Sequence, residues 1–281
     1  MPEVALPRTT SASQLTSYAM CPRLYQFRYV AHAEPEFRSL ALALGSAVHG
    51  AIGWWFEERL AGREPTLDGA KQIVAADLLA ETAEATIRWK TETPASLEAK
   101  GQALVACYLA EHGNMEVVRV EQRFEIDLFD PATGEVLPRP LLGYFDLVVA
   151  DGDSVVEIKT TSREWHPLSL ERHLQVGAYT AAALVLNGEA KIAVHTILKQ
   201  KTPRVEVLPI ERQEADNTFF NHAAAAIERA ILAGHFPPAP GPTCIECEFA
   251  RACLAWGRPR EKRQRLRPPA APPRPQALAA I

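Results

Sequence analysis

Residues 143–159 read Gly143-Tyr144-Phe145-Asp146-Leu147-Val148-Val149-Ala150-Asp151-Gly152-Asp153-Ser154-Val155-Val156-Glu157-Ile158-Lys159. Two apolar runs flank Asp151-Gly152, a dipeptide that strongly favours a two-residue hairpin turn. With that turn, Val149 faces Ser154, Val148 faces Val155 and Asp146 faces Glu157. Directly opposed residues share one sheet face, with Cβ atoms about 5 Å apart. Two like charges placed there repel, and a divalent cation relieves the repulsion, because Mg²⁺ takes hard carboxylate oxygens. Lys159 lies two residues past Glu157 on the same face, where its ammonium can hold a water or a phosphate oxygen. Together the three side chains suit metal-assisted phosphodiester hydrolysis. Taken alone, the hairpin is equally consistent with two solvated carboxylates on an open sheet face.

Outward from the hairpin, the chain alternates between helical and extended patterns. Residues 11–30 form a short helical region that Ser11 or Ser13 can cap, interrupted at Cys21-Pro22. Three Ala/Leu/Glu-rich helical segments follow at about 39–62, 67–90 and 95–112. Trp54, Trp55 and Trp89 fall within them and are expected in the core rather than stacked on bases. Strands are expected at 117–129, 141–150, 154–159, 192–198 and 205–210, with amphipathic helices at 168–187 and 214–233. Strands gathered at 117–210, with helices before, between and after, indicate an α/β or α+β domain.

Asp146 followed by Glu157-Ile158-Lys159 resembles the motif of the PD-(D/E)XK nucleases, and most closely their RecB-like branch. Gly45-Ser-Ala-Val-His49 resembles that branch's helical G-x-x-x-H element, Gln175-Val-Gly-Ala-Tyr179 its Q-x-x-x-Y element, and Val120-Glu121 its glutamate-bearing strand. All five occur in the family's order across residues 45–179. The resemblance implies a restriction-endonuclease-like α/β core, a mixed central sheet flanked by helices. It also implies that His49, Asp146, Glu157 and the Ile158 carbonyl bind Mg²⁺ or Mn²⁺, with Asp146, Glu157 and Lys159 catalytic. Gln175, Tyr179 and Glu121 become candidate DNA contacts. Gln175 and Tyr179, at i and i+4, share one helix face.

Cys21, Cys107, Cys244, Cys247 and Cys253 are the five cysteines. Cys244-x₂-Cys247 suits two ligands to one metal, with Cys253 following and Cys21 as fourth ligand from the other end of the chain. Spacing alone does not separate a Zn²⁺ site from an iron–sulfur cluster, because thiolates suit both. Ser11-Ala-Ser-Gln-Leu-Thr-Ser-Tyr-Ala-Met-Cys21-Pro resembles the N-terminal element of iron–sulfur RecB-like nucleases, such as the AddB nuclease domain and CRISPR-associated RecB-like exonucleases. That likeness implies a 4Fe–4S cluster on Cys21, Cys244, Cys247 and Cys253, a staple between the chain's two ends.

With 30 Lys plus Arg against 34 Asp plus Glu, the net charge of −4 excludes a uniformly basic nucleic-acid coat. Residues 258–281 carry seven basic residues and one acid, and read as a basic, Pro-rich disordered tail that could touch phosphates. The expected organisation is one nuclease domain over 1–257, divided into a helical part (11–115), a catalytic core (116–212) and a C-terminal helix with the cysteines (213–257). No apolar run approaches the roughly 18 residues of a membrane span, and residues 1–14 lack a secretory pattern, so a cytoplasmic location is expected. No phosphate loop or G-x-G-x-x-G is present, so unwinding would fall to a helicase, recombination or CRISPR protein partner. The expected function is a metal-dependent DNA nuclease, an exonuclease on single strands or free ends, in recombination, repair, phage DNA processing or CRISPR adaptation. The rival is a non-catalytic nucleic-acid-binding protein with a four-cysteine module.

Overall fold

The computed structural model describes residues 6–84, 86–89, 91–150 and 154–256. Helix α1 (Ala12–Met20) starts where Ser11 Oγ accepts the Gln14 N–H at 3.2 Å. It stops at Cys21, because Pro22 disfavours helix at the residue before it. The chain resumes as α2 (Pro22–Tyr25) and a π-helical turn, Gln26–Val30. Helices α3 (Leu40–Leu60), α4 (Leu67–Glu84) and α5 (Pro94–His112) realise the three helical segments. The second ends at Glu84 rather than near 90, since Arg38 N–H bonds the Thr86 carbonyl at 2.8 Å and Ile87 bridges to Arg38. Trp54 and Trp55 pack half-buried against the core, but Trp89 is 37% exposed, which corrects its expected burial.

Five strands form one sheet in the order β1 (Val117–Ile126), β2 (Leu141–Val149), β3 (Ser154–Thr161), β4 (Ala190–Leu198), β5 (Arg204–Arg212). All neighbours are antiparallel except β3 and β4, so the sheet is mixed. The parallel crossover carries α6 (Pro167–Glu171) and α7 (Leu174–Asn187). The single helix expected over 168–187 is therefore two, broken where Arg172 leaves the helix and His173 adopts extended backbone. Beyond β5, a 3₁₀ turn (Glu214–Asn217) leads into α8 (Thr218–Leu232). The cysteine-rich end holds a 3₁₀ turn (Pro242–Glu246) and α9 (Ala250–Leu254). The expected tail over 258–281 and the Asp151-Gly152 turn lie outside the described residues.

The sheet separates two apolar layers. On one face, Leu147, Val156, Ile158 and Ile197 pack with Ala47, Val48, Val74 and Leu104 from α3, α4 and α5. On the other, Phe124, Phe145, Val155 and Val194 pack with Leu15, Ala178 and Phe220 from α1, α7 and α8. Burial of this apolar surface, at about 25 cal/mol per Å², drives the assembly. Gly177 lets α7 meet α8, because a Cβ there would lie 2.5 Å from the Cβ of Phe220. The buried Arg139–Glu228 ion pair (2.7 Å), with Arg139 also donating to Tyr25 at 3.0 Å, ties α8 to the N-terminal helices. Among the described residues, no helix is long and apolar enough to cross a membrane.

Strand alternation breaks near the start of β1, where the register shifts between Val117 and Arg119, and again at the site. Leu141 and Phe145 bury into the α7 layer, whereas Leu147 and Val149, of the same parity, pack in the α3–α5 layer. On β1, Val120 packs in the α3–α5 layer, and Phe124 and Ile126 pack in the other. The change falls between the pairs Val120↔Leu147 and Gln122↔Phe145, at Glu121 and Asp146. Glu121 has φ +47°, a left-handed backbone that non-glycine residues rarely adopt.

Candidate active site

Beyond Leu147↔Val156 the β2–β3 ladder ends, and β3 continues paired with β4 alone. The register Val149↔Ser154, Val148↔Val155 and Leu147↔Val156 is the one a two-residue turn demands. Asp146 and Glu157 follow at the point of separation. Asp146 Oδ2 accepts the Ile158 backbone N–H at 2.7 Å, which places its carboxyl beside the residue that follows Glu157.

Glu157 is 2% exposed. Its Oε1 pairs with the Lys159 ammonium and accepts from Gln175 Nε2 at 2.7 Å. Its Oε2 is buried and has no hydrogen-bond partner. Gln175 Oε1 accepts from Lys159 Nζ at 2.6 Å, so one amide holds both the acid and the base in place. Tyr179, one turn further along α7, accepts from Gln175 at 3.2 Å and donates to the Tyr144 carbonyl at 2.6 Å.

From the opposite layer, α3 brings His49 Nδ1 to 3.5 Å from Asp146 Oδ2. A hydrogen bond also links the His49 ring to the Ile158 backbone. His49, Asp146, Glu157 and the Ile158 backbone therefore converge, although α3, β2 and β3 belong to different parts of the chain. Burial pushes both carboxyls up, to about 7, and each is raised further by a neighbouring acid: Glu121 for Asp146, Asp146 for Glu157. Burial pushes His49 down and Glu121 up, the latter also through Glu157 and Glu57. Glu121 thus belongs to the acidic group electrostatically.

Among the described residues, no group of three or more His, Cys, Asp or Glu side chains is arranged as a complete metal site. Glu157 Oε1 is committed to Lys159 and Gln175, and Asp146 Oδ2 to Ile158. The donor chemistry nonetheless fits a hard divalent cation. Glu157 Oε2 is an orphaned buried carboxylate oxygen, and such groups are costly unless paired or metal-bound.

Gln175 and Tyr179 reach the site, where they bond Glu157, Lys159 and the Tyr144 carbonyl, and both also line the cleft beside Asp146. Sequence reasoning missed Tyr144, whose exposed ring lines a cleft of ≈ 400 Å³ with Asp146, Gln175 and the first turn of α1. It also missed Trp165 and His173, which wall a smaller pocket against Lys159 and Glu157. Burial and the nearby Lys159 hold His173 down at about 4. His173 lies two residues before the Q-x-x-x-Y element, and no pattern marked Trp165 or Tyr144.

Cys21, Cys244, Cys247 and Cys253 line one cavity of ≈ 740 Å³, and all are free thiols. Burial raises Cys247 and Cys253, and the neighbouring thiols of Cys21 and Cys244 raise them further. Cys107 stands apart on α5, near Glu111. Protein contacts already join the ends around this cavity: Phe27 stacks on Phe249, and Arg28 pairs with Glu248 at 2.6 Å.

No curated protein matches the chain. A crystal structure named "Putative exonuclease", from Eubacterium rectale, superposes with a TM-score of 0.53 at 12% identity, covering 87% of this chain and 88% of that one. A structure named SSO0001 aligns at a TM-score of 0.38 and 14% identity, covering 86% of this chain and 93% of that one. The first likeness shows a shared fold. The model of the PD-(D/E)XK nuclease superfamily matches residues 9–254, nearly the whole described chain. With a mixed five-stranded sheet that separates at Asp146 and Glu157, the chain belongs to the PD-(D/E)XK nuclease superfamily.

Proposed function

We propose that this nuclease-family chain is a metal-dependent DNA exonuclease in which Asp146, Glu157 and Lys159 are catalytic. The supporting observation is the Lys159–Gln175–Glu157 network beside the His49–Asp146 pair, with Asp146 bonded to the Ile158 N–H next to Glu157, assembled from α3, β2, β3 and α7. His49, Asp146, Glu157 and the Ile158 carbonyl would hold Mg²⁺ or Mn²⁺, the cations that nucleases of this superfamily generally use. When bound, the cation supplies Lewis-acid polarisation of the scissile phosphate. Lys159, fixed by Glu157 and Gln175, donates to a non-bridging phosphate oxygen and orients the attacking water. Gln175 keeps Lys159 and Glu157 in register, and Tyr179 anchors that amide to β2.

We further propose that Cys21, Cys244, Cys247 and Cys253 bind a 4Fe–4S cluster, with Zn²⁺ as the alternative. The support is their placement around one cavity, where Cys21 and Cys244 lie close enough to raise Cys247 and Cys253. Single-stranded and duplex DNA labelled at the 5′ or 3′ end, incubated with and without Mn²⁺, tests the nuclease reading. Cation-dependent shortening from one end is expected. A shifted but uncut oligonucleotide would favour the non-catalytic binding protein.

A further inference from the structure

The cleft beside Asp146 has a composition that catalysis alone does not explain. Its volume, ≈ 400 Å³, lies within the range of about 300–1,000 Å³ that pockets for one small ligand occupy. Phe124 and Leu142 supply apolar lining, and polar lining comes from the first turn of α1, with Ser11, Ser13 and Gln14, and from the carboxyls of Glu121 and Asp146 on the other side. Between them stands Tyr144, an aromatic residue 44% exposed in the interior of a strand.

Tyr144 is also fixed relative to the carboxylates. Its carbonyl accepts the Tyr179 hydroxyl at 2.6 Å, and Tyr179 connects through Gln175 to Glu157 Oε1. Its backbone, from which the ring projects, therefore stands at a set position from the acids, two residues from Asp146. A planar, polarisable ligand on that ring would have its attached backbone placed at the catalytic groups. Nucleobases meet that requirement, because each presents a π-face and stacking tolerates any sequence. A cleft of this size takes one unpaired nucleotide and not a base-paired duplex.

Resting on the nuclease reading, we infer that Tyr144 is the base-stacking platform of a one-nucleotide subsite in single-stranded DNA, walled by the first turn of α1. The ring touches the base, and the α1 hydroxyls and amide face the sugar and phosphate. Stacking at one position also sets which phosphate reaches Lys159.

The test combines Tyr144 variants with a scan of single abasic positions along a labelled single-stranded oligonucleotide. Affinity is measured without divalent cation, and cleavage with Mn²⁺. Tyr144→Ala should weaken binding of the intact strand by about 5- to 150-fold, the range measured for losing one stacked base. Tyr144→Phe and Tyr144→Trp should bind as wild type does. At one abasic position the wild type should lose the same factor while Tyr144→Ala loses nothing more. Equal penalties for both proteins at every position, or unchanged affinity in Tyr144→Ala, would overturn the platform. Absence of any cleavage by the wild type would instead sink the nuclease reading, with the binding scan still deciding on Tyr144.

Discussion

Gln175 donates to Glu157 at 2.7 Å through Nε2 while its Oε1 accepts from Lys159, so one amide from α7 spaces an acid and a base on β3. A leucine at 175 would keep the bulk and remove both bonds. Gln175→Leu should lower kcat by about 10- to 100-fold with KM for DNA changed little, because a positioning group acts on geometry rather than on substrate binding. Single-turnover rates against DNA concentration check this. A change confined to KM would make Gln175 a DNA contact instead.

Asp146 and Glu157 carry raised pKa values, near 7, in the folded chain. The folded state then holds protons that the unfolded chain has released, so ν_N exceeds ν_U between about pH 4 and 7 and these groups' contribution falls as pH rises. Each unit of upward shift corresponds to about 1.4 kcal/mol. Buried His173 and His195, both held near 4, act in the opposite sense, so the useful quantity is a difference between variants. In EDTA, Asp146→Asn should gain stability relative to wild type as pH rises from 5 to 8. Urea midpoints at the two pH values measure it, and a difference independent of pH would contradict the buried acid pair.

Glu121 holds a left-handed backbone at φ +47° directly across from Asp146. Glycine meets that conformation without the roughly 1–2 kcal/mol cost of a Cβ. Glu121→Gly should therefore raise stability by about 1 kcal/mol, whereas Glu121→Ala should not. Thermal melts of the two variants separate backbone strain from the effect of removing a raised carboxylate.

These residues also show what the sequence could and could not reveal. The hairpin register was legible because Asp151-Gly152 favours a two-residue turn over a three-residue one that would shift it, and the observed pairs follow the two-residue register. The order of motifs likewise located His49 beside Asp146, although the two are far apart in the chain. Simple alternation fails at Glu121, because nothing in Val120-Glu121-Gln122 signals a left-handed residue where glycine would be expected. The helix break at His173 was hidden by an apolar pattern that runs on through Leu170 and Leu174. The Arg139–Glu228 pair and the Tyr108–His195 contact (3.1 Å) join residues more than 80 positions apart, a relationship no local pattern carries.

The cysteine centre can be judged by composition and by stability. Anaerobically purified protein should contain near four irons per chain, as a 4Fe–4S cluster requires; one zinc would support the alternative, and neither metal would remove the centre. Serine at Cys21, Cys244, Cys247 or Cys253 should lower both metal content and stability, and Cys107→Ser should leave the metal in place. Because Phe27–Phe249 and Arg28–Glu248 already join the ends, the expected loss is a loosening of α1, α2 and α9 rather than global unfolding. Hydrogen exchange localised to those helices would show it.

The central claim is that Asp146, Glu157 and Lys159 carry out cation-dependent hydrolysis. Single-turnover cleavage of end-labelled single-stranded DNA in Mn²⁺, with wild type, Glu157→Gln and Lys159→Ala side by side, addresses it most directly. Cleavage by wild type only is expected, with losses of about 10³-fold or more in both variants on the scale of removing a transition-state donor, and melting temperatures at or above wild type for Glu157→Gln. Full cleavage by either variant, with the fold intact, would contradict it.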